Sequence, residues 1–186
     1  MRNDTPQGAA FSEVWEALRQ SGKPPPYLLI DCAGIEGGEQ NLPKPIFDEL
    51  ECLFTGDLAE ELADVGPYLG RLANYAPETM QAVHALLLAQ VGILVLPAAK
   101  ENPLEAPDAF SVLHRHFRKF NVVYEKSGKP LFFRYYDSRI FKLILSVLTA
   151  SQLTAFFGVV DQFLVIDETD RLARFGISAG ALSESS

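Results

Sequence analysis

Two carboxylates and two arginines stand where this chain could do chemistry. Asp31 closes the apolar run Tyr27-Leu-Leu-Ile30, and strand ends are where α/β folds carry catalytic acids. Asp137 lies between Arg134 and Arg139 in the stretch Leu131-Phe-Phe-Arg-Tyr-Tyr-Asp-Ser-Arg-Ile140. With a histidine in reach, Asp31 and Asp137 could run an acid/base hydrolysis, one group taking a proton and another returning it. An aspartate at a strand end also caps the loop that follows, and this plainer role weighs more for Asp31. Arg134, Asp137 and Arg139 likewise read first as an ion-paired clasp that fixes a strand-to-helix corner. A docking surface is the alternative.

The remaining reactive residue types lack partners in the sequence. His114 and His116 are two apart, so on a helix they diverge by roughly 200° and cannot chelate one ion together. His84 sits in an apolar helix and suits a core or boundary position. Cys32 and Cys52 are the two cysteines; neither forms a C-x-x-C pair, and both read as reduced, buried thiols. Neither a phosphate-binding glycine loop nor a nucleophile elbow is present, so no cofactor, metal or covalent catalysis is expected.

The elements that must position these residues follow from periodicity. Phe11, Val14, Trp15 and Leu18 predict an amphipathic helix over 11–20, ended by Gly22-Lys-Pro-Pro-Pro26. Tyr27 to Ile30 is a short buried strand, and 34–45 a glycine- and proline-bearing loop. The acidic stretch 45–62 carries enough leucine and phenylalanine that part of it must pack. Gly66 and Pro67 turn into an extended segment to Leu72. Pro77 opens a helix to about Gln90, with Met80, Val83, Leu87 and Val91 inward, and Gly92 to Leu96 is a buried strand.

Residues 100–107 read as a loop and Asp108 as the cap of a helix burying Phe110, Leu113 and Phe117. Val122–Tyr124 and Leu131–Tyr136 form a hairpin about Lys126-Ser-Gly-Lys129. In the returning strand Phe132, Arg134 and Tyr136 alternate with Phe133 and Tyr135. Asp137 or Ser138 then caps a helix with Ile140, Phe141, Ile144, Leu145 and Leu148 in one stripe. Thr149-Ala-Ser-Gln152 matches a capping box, Phe163 to Ile166 a last strand, and 179–186 a disordered tail. The alternation predicts one α/β domain, a mixed β-sheet covered by helices with an N-terminal amphipathic helix. Strand 92–96, helix 108–119 and strand 122–124 should form a parallel right-handed crossover. The divisions are 1–26 (helix and proline-rich connector), 27–168 (the α/β domain) and 169–186 (tail, partly disordered).

At 186 residues and 48% hydrophobic content, the chain supports one core. Its net charge of −8 disfavours a general nucleic-acid binder. Charge is uneven, however: residues 114–142 sum to +6 and the rest to −14, while 45–70 holds seven acids and no base. No signal peptide or membrane-spanning run is evident, so a cytoplasmic protein with no membrane partner is expected.

Five blocks in order carry a family likeness: Tyr27-Leu-Leu-Ile-Asp-Cys-Ala33, Leu53-Phe-Thr-Gly56, Pro67-Tyr-Leu-Gly-Arg-Leu72, Leu113-His-Arg-His-Phe-Arg118 and Phe133-Arg-Tyr-Tyr-Asp-Ser-Arg139. Over residues 27 to 166 the chain resembles the adaptor/chaperone proteins of bacterial type VI secretion systems. Its aromatic-Arg-aromatic-Tyr-Asp block matches at Phe133, Arg134, Tyr135, Tyr136, Asp137 and Arg139, with Ser138 where the family usually has proline. The resemblance implies an adaptor that binds a cognate toxic effector and hands it to the VgrG spike, with a co-chaperone as a further candidate partner and no catalysis. Asp31, Arg134, Tyr136, Asp137 and Arg139 would then be structural. Phe54, Pro67 and Tyr68, near the acidic stretch, are the expected docking patch.

Overall fold

The computed structural model describes residues 6–98, 109–167, 169–178 and 180–185. Seven strands form one sheet: β1 (Tyr27–Asp31), β2 (Phe47–Cys52), β3 (Pro67–Leu72), β4 (Gly92–Pro97), β7 (Val160–Ile166), β8 (Leu172–Ser178) and β9 (Ala181–Ser185). Their order is β2-β3-β1-β4-β7-β8-β9, and every neighbouring pair is antiparallel. The remaining strands, β5 (Val122–Tyr124) and β6 (Pro130–Phe132), pair with each other away from this sheet.

Helices cover both faces of the sheet. On one lie α1 (Pro6–Gln20) and α3 (Pro77–Leu88); on the other α4 (Ala109–Arg118), α5 (Ser138–Val147) and α6 (Ala150–Phe157); the short α2 (Asp57–Leu62) falls between β2 and β3 in the chain. Side chains on β1 divide accordingly. Tyr27 and Leu29 join Phe110, Leu113, Phe141 and Phe156, while Leu28 and Ile30 join Phe11, Trp15, Val83 and Leu87. Period two sends successive residues to opposite faces, so a strand sandwiched between helices needs apolar residues at every position. That is why β1 and most of β4 read as unbroken apolar runs.

The expected α/β domain with its N-terminal helix stands. Two finer expectations do not. The segment after β4 makes no parallel crossover: β4 is flanked by β1 and β7, both antiparallel to it, and β5 leaves to pair with β6. The tail over 169–186, expected to be partly disordered, holds β8, and the stretch 179–186 read as disordered supplies β9, so that both strands extend the sheet beyond β7. Small polar residues there mark an outer strand with exposed side chains. The loop over 100–107 and the cap at Asp108 lie outside the described residues.

Candidate functional site

The returning strand of the hairpin is shorter than its alternation suggests. β6 stops at Phe132, and Arg134 to Asp137 form a turn closed by the Asp137 N–H donating to the Arg134 carbonyl at 3.1 Å. The turn lets Tyr135 and Tyr136 both point inward, which a strand forbids. Tyr135 is fully buried among Phe117, Phe120 and Phe156, and its hydroxyl donates to the Phe117 carbonyl at 3.0 Å. Tyr136 is buried beside it, and burial pushes its phenol up to about 12.

This turn reaches across 103 residues of sequence to the end of β1. Arg134 Nη2 donates to Asp31 Oδ2 at 2.6 Å and lies 3.7 Å from Asp137 Oδ2. Arg139 closes a two-pronged contact on Asp137, with Nε at 2.8 Å and Nη2 at 2.7 Å. The Arg139 backbone N–H donates to Asp137 Oδ1 at 3.2 Å, so Asp137 is the cap of α5. Asp31 and Asp137 are buried, whereas Arg134 and Arg139 keep 42% and 54% of their side chains exposed. Burial of Asp137 acts to raise its pKa, but the Arg139 hydrogen bonds and the positive charges beside it outweigh this and hold the carboxyl below the usual range. The four groups form an alternating chain of charge, each carboxylate held by a guanidinium.

None of the three histidines joins Asp31 or Asp137. His84 is buried with its ring stacked on Phe11 at 4.8 Å. His114 Nε2 lies 3.0 Å from the Cys52 carbonyl. His116 Nε2 lies 2.8 Å from the Phe156 carbonyl, an acceptor, so that nitrogen carries the proton. Burial pulls the pKa of both His84 and His116 down, which keeps them neutral. The Cys32 thiol is buried and pushed up to about 12, leaving no thiolate for chemistry near neutral pH. Among the described residues, no group of three or more His, Cys, Asp or Glu side chains is placed to hold a metal ion.

The expected docking patch is not exposed. Phe54 and Tyr68 retain 9% and 8% of their surface, and Pro67 is buried. The reason is topological: β3 lies inside the sheet between β1 and β2, so Pro67 and Tyr68 are covered, and Phe54 is packed beneath Phe132 with ring centroids 6.0 Å apart.

Exposed apolar surface lies elsewhere. The β5–β6 hairpin shows Val123, Tyr124, Leu131 and Phe132, with Tyr124 72% and Phe132 56% exposed. Its turn uses Gly128 at φ +83°, where other residues would be strained. Two backbone-directed bonds anchor its base, from the Phe133 N–H to the Asn121 carbonyl at 2.9 Å and from Asn121 Nδ2 to the Leu53 carbonyl at 2.7 Å. On α5, Ile140, expected in the buried stripe with Phe141, Ile144 and Leu145, is instead exposed and forms a second exposed stripe with Leu143 and Val147. The unbroken apolar runs Val122–Tyr124 and Leu131–Phe133, on a hairpin of only two strands, were a sequence signal for the first surface. The run Ile140 to Leu148, apolar on more than one helical face, was a signal for the second.

The family described as domain of unknown function (DUF4123) matches residues 26–155, a span from the start of β1 into α6. No curated protein and no solved structure matches the chain. No helix among the described residues is long and apolar enough to cross a membrane.

Proposed function

The chain belongs to the DUF4123 family, and we propose that it is a cytoplasmic adaptor of a bacterial type VI secretion system. In this reading it binds a cognate toxic effector, carries it to the VgrG spike and catalyses nothing. The observation that carries the reading is where apolar surface is exposed. Of the nine large hydrophobic side chains exposed among the described residues, seven lie on the hairpin β5–β6 and on the outer face of α5. Single exposed leucines are ordinary, but clustered aromatic and aliphatic side chains mark surfaces that another protein covers. Two such elements suit a protein that must hold a cargo and a carrier.

The ion-paired corner supports this reading by its chemistry. Asp31 and Asp137 do meet, through Arg134, yet each is held by a guanidinium and neither has a histidine beside it. A hydrolase would need one of them free to exchange a proton. Cross-linking in the bacterium that encodes the chain, followed by its purification, tests the proposal. Recovery of a toxin-like protein together with the spike is expected. Recovery of neither, from cells shown to make both, overturns it.

A further inference from the structure

A cleft of about 360 Å³ opens at the base of the hairpin, between the C-terminal end of α4 and the 53–58 segment. Its floor is apolar, built from Leu53, Phe54 and Leu58, and its charged lining residues are all cationic: Arg115, Arg118 and Lys119. All three cations are exposed, and none forms an ion pair among the described residues. The contrast with their neighbours is chemical. In the same basic stretch Arg134 and Arg139 are taken up by Asp31 and Asp137, and Lys142 by Glu184 at 2.7 Å.

The cleft is continuous with the exposed face of the hairpin. Val122 lines it and is registered opposite Phe132 on β6, and Phe132 packs on Phe54 in the floor. Lys126 and Lys129 extend the positive charge to the hairpin turn. An apolar floor, a raised aromatic edge and a cationic rim are thus joined in one surface on a chain whose net charge is −8.

We infer that this surface receives an acidic protein segment in which carboxylates flank large apolar side chains. The apolar side chains seat against the exposed ring of Phe132 at the edge of the cleft, and the carboxylates meet Arg115, Arg118 and Lys119. Guanidinium forks suit carboxylates, and burial of an aromatic anchor inside a charged rim is how such surfaces combine affinity with selection. A nucleic acid would also seek the cations. Yet the chain's net charge of −8 opposes a long polyanion. That the segment belongs to a carried effector rests on the adaptor reading; the chemistry of the cleft does not.

Panning a random peptide library displayed on phage against the full chain tests the assignment independently of any secretion system. Enriched peptides should be acidic with aromatic or leucine residues between the acids. A synthetic copy of the strongest should lose about tenfold or more in affinity against Arg115→Glu/Arg118→Glu and, separately, Phe132→Ser. These side chains are exposed, and unchanged thermal unfolding confirms that each variant is folded. No enrichment, enrichment of neutral or basic peptides, or acidic peptides that bind both variants as wild type would each overturn the assignment. So would tighter binding of oligothymidylate than of any peptide, which would give the surface to nucleic acid. Failure here leaves the adaptor proposal to its own co-purification test, and failure there leaves the cleft standing.

Discussion

The corner at 134–139 and the hairpin at 122–132 are neighbours in sequence, built from the same residue types, and the chain treats them in opposite ways. At the corner, the tyrosines turn inward, and every charge is matched by another from the chain: Arg134 by Asp31, Arg139 by Asp137. At the hairpin, Tyr124 and Phe132 face solvent, and Lys126 and Lys129 form no ion pair among the described residues. An arginine beside an aromatic is therefore neither structural nor functional by type. What separates the two regions is whether the rest of the chain supplies the complement. The corner's complement is the end of β1; the hairpin has none among the described residues.

Substitutions that break this contrast should differ in kind. Arg134→Met leaves the carboxylate of Asp31 buried without its cation, a change that costs on the order of 3 kcal/mol where such pairs are cut. Urea unfolding should show that loss. Asp31→Asn should lose less, about 1–2 kcal/mol, because the exposed half of Arg134 can be hydrated once its partner is neutral. Equal losses would mean that Asp31 is not isolated by burial.

Acidification should act on the folded interior in two windows. His84 and His116 have folded-state pKa values pulled below the ordinary histidine value, so the unfolded chain takes up protons first. Stability should fall as pH drops through about 6.5 toward 5, and His84→Phe should make that fall shallower. Asp137 has a depressed pKa, so its contribution is complete above the ordinary carboxylate range and disappears as pH falls through the folded value. Asp137→Asn should remove that second, more acidic step. Unfolding midpoints measured across pH check both windows.

A smaller effect is expected at the aromatic centre. Tyr135→Phe keeps the ring among Phe117, Phe120 and Phe156 and removes its bond to the Phe117 carbonyl, costing about 1 kcal/mol. Partner binding should be untouched. At the hairpin, Tyr124→Ser/Phe132→Ser should cost no more than about 1 kcal/mol, since Tyr124 is largely exposed and Phe132 gives up chiefly its packing on Phe54.

Much of the architecture was legible as periodicity. Phe11, Trp15 and Leu18 marked α1, Pro77 marked the start of α3, and Thr149 with Gln152 forms the capping box that opens α6. Strand direction was not legible. An unbroken apolar run such as Tyr27 to Ile30 reports helices on both faces of a strand, a condition met here by an antiparallel sheet. The end of β6 was hidden as well, because Phe133 to Tyr136 alternates in sequence while its turn, set by the reach of Arg134 to Asp31, buries both tyrosines. A contact spanning that much sequence has no local signature. The same holds for Phe54, Pro67 and Tyr68, whose burial depends on the neighbours that the sheet order brings to them. The ion-paired clasp of Arg134, Asp137 and Arg139 was legible from residue type and position, whereas its link to Asp31 was not.

The most direct test of the account measures the affinity of the purified chain for a protein that co-purifies with it, comparing Tyr124→Ser/Phe132→Ser with Tyr135→Phe. The account predicts that the hairpin variant stays folded at the assay temperature and loses about tenfold or more in affinity. The Tyr135 variant should be less stable and bind as wild type. Full binding by the hairpin variant, with binding lost in the Tyr135 variant at a temperature where it is folded, would place the contact at the buried corner and contradict the account.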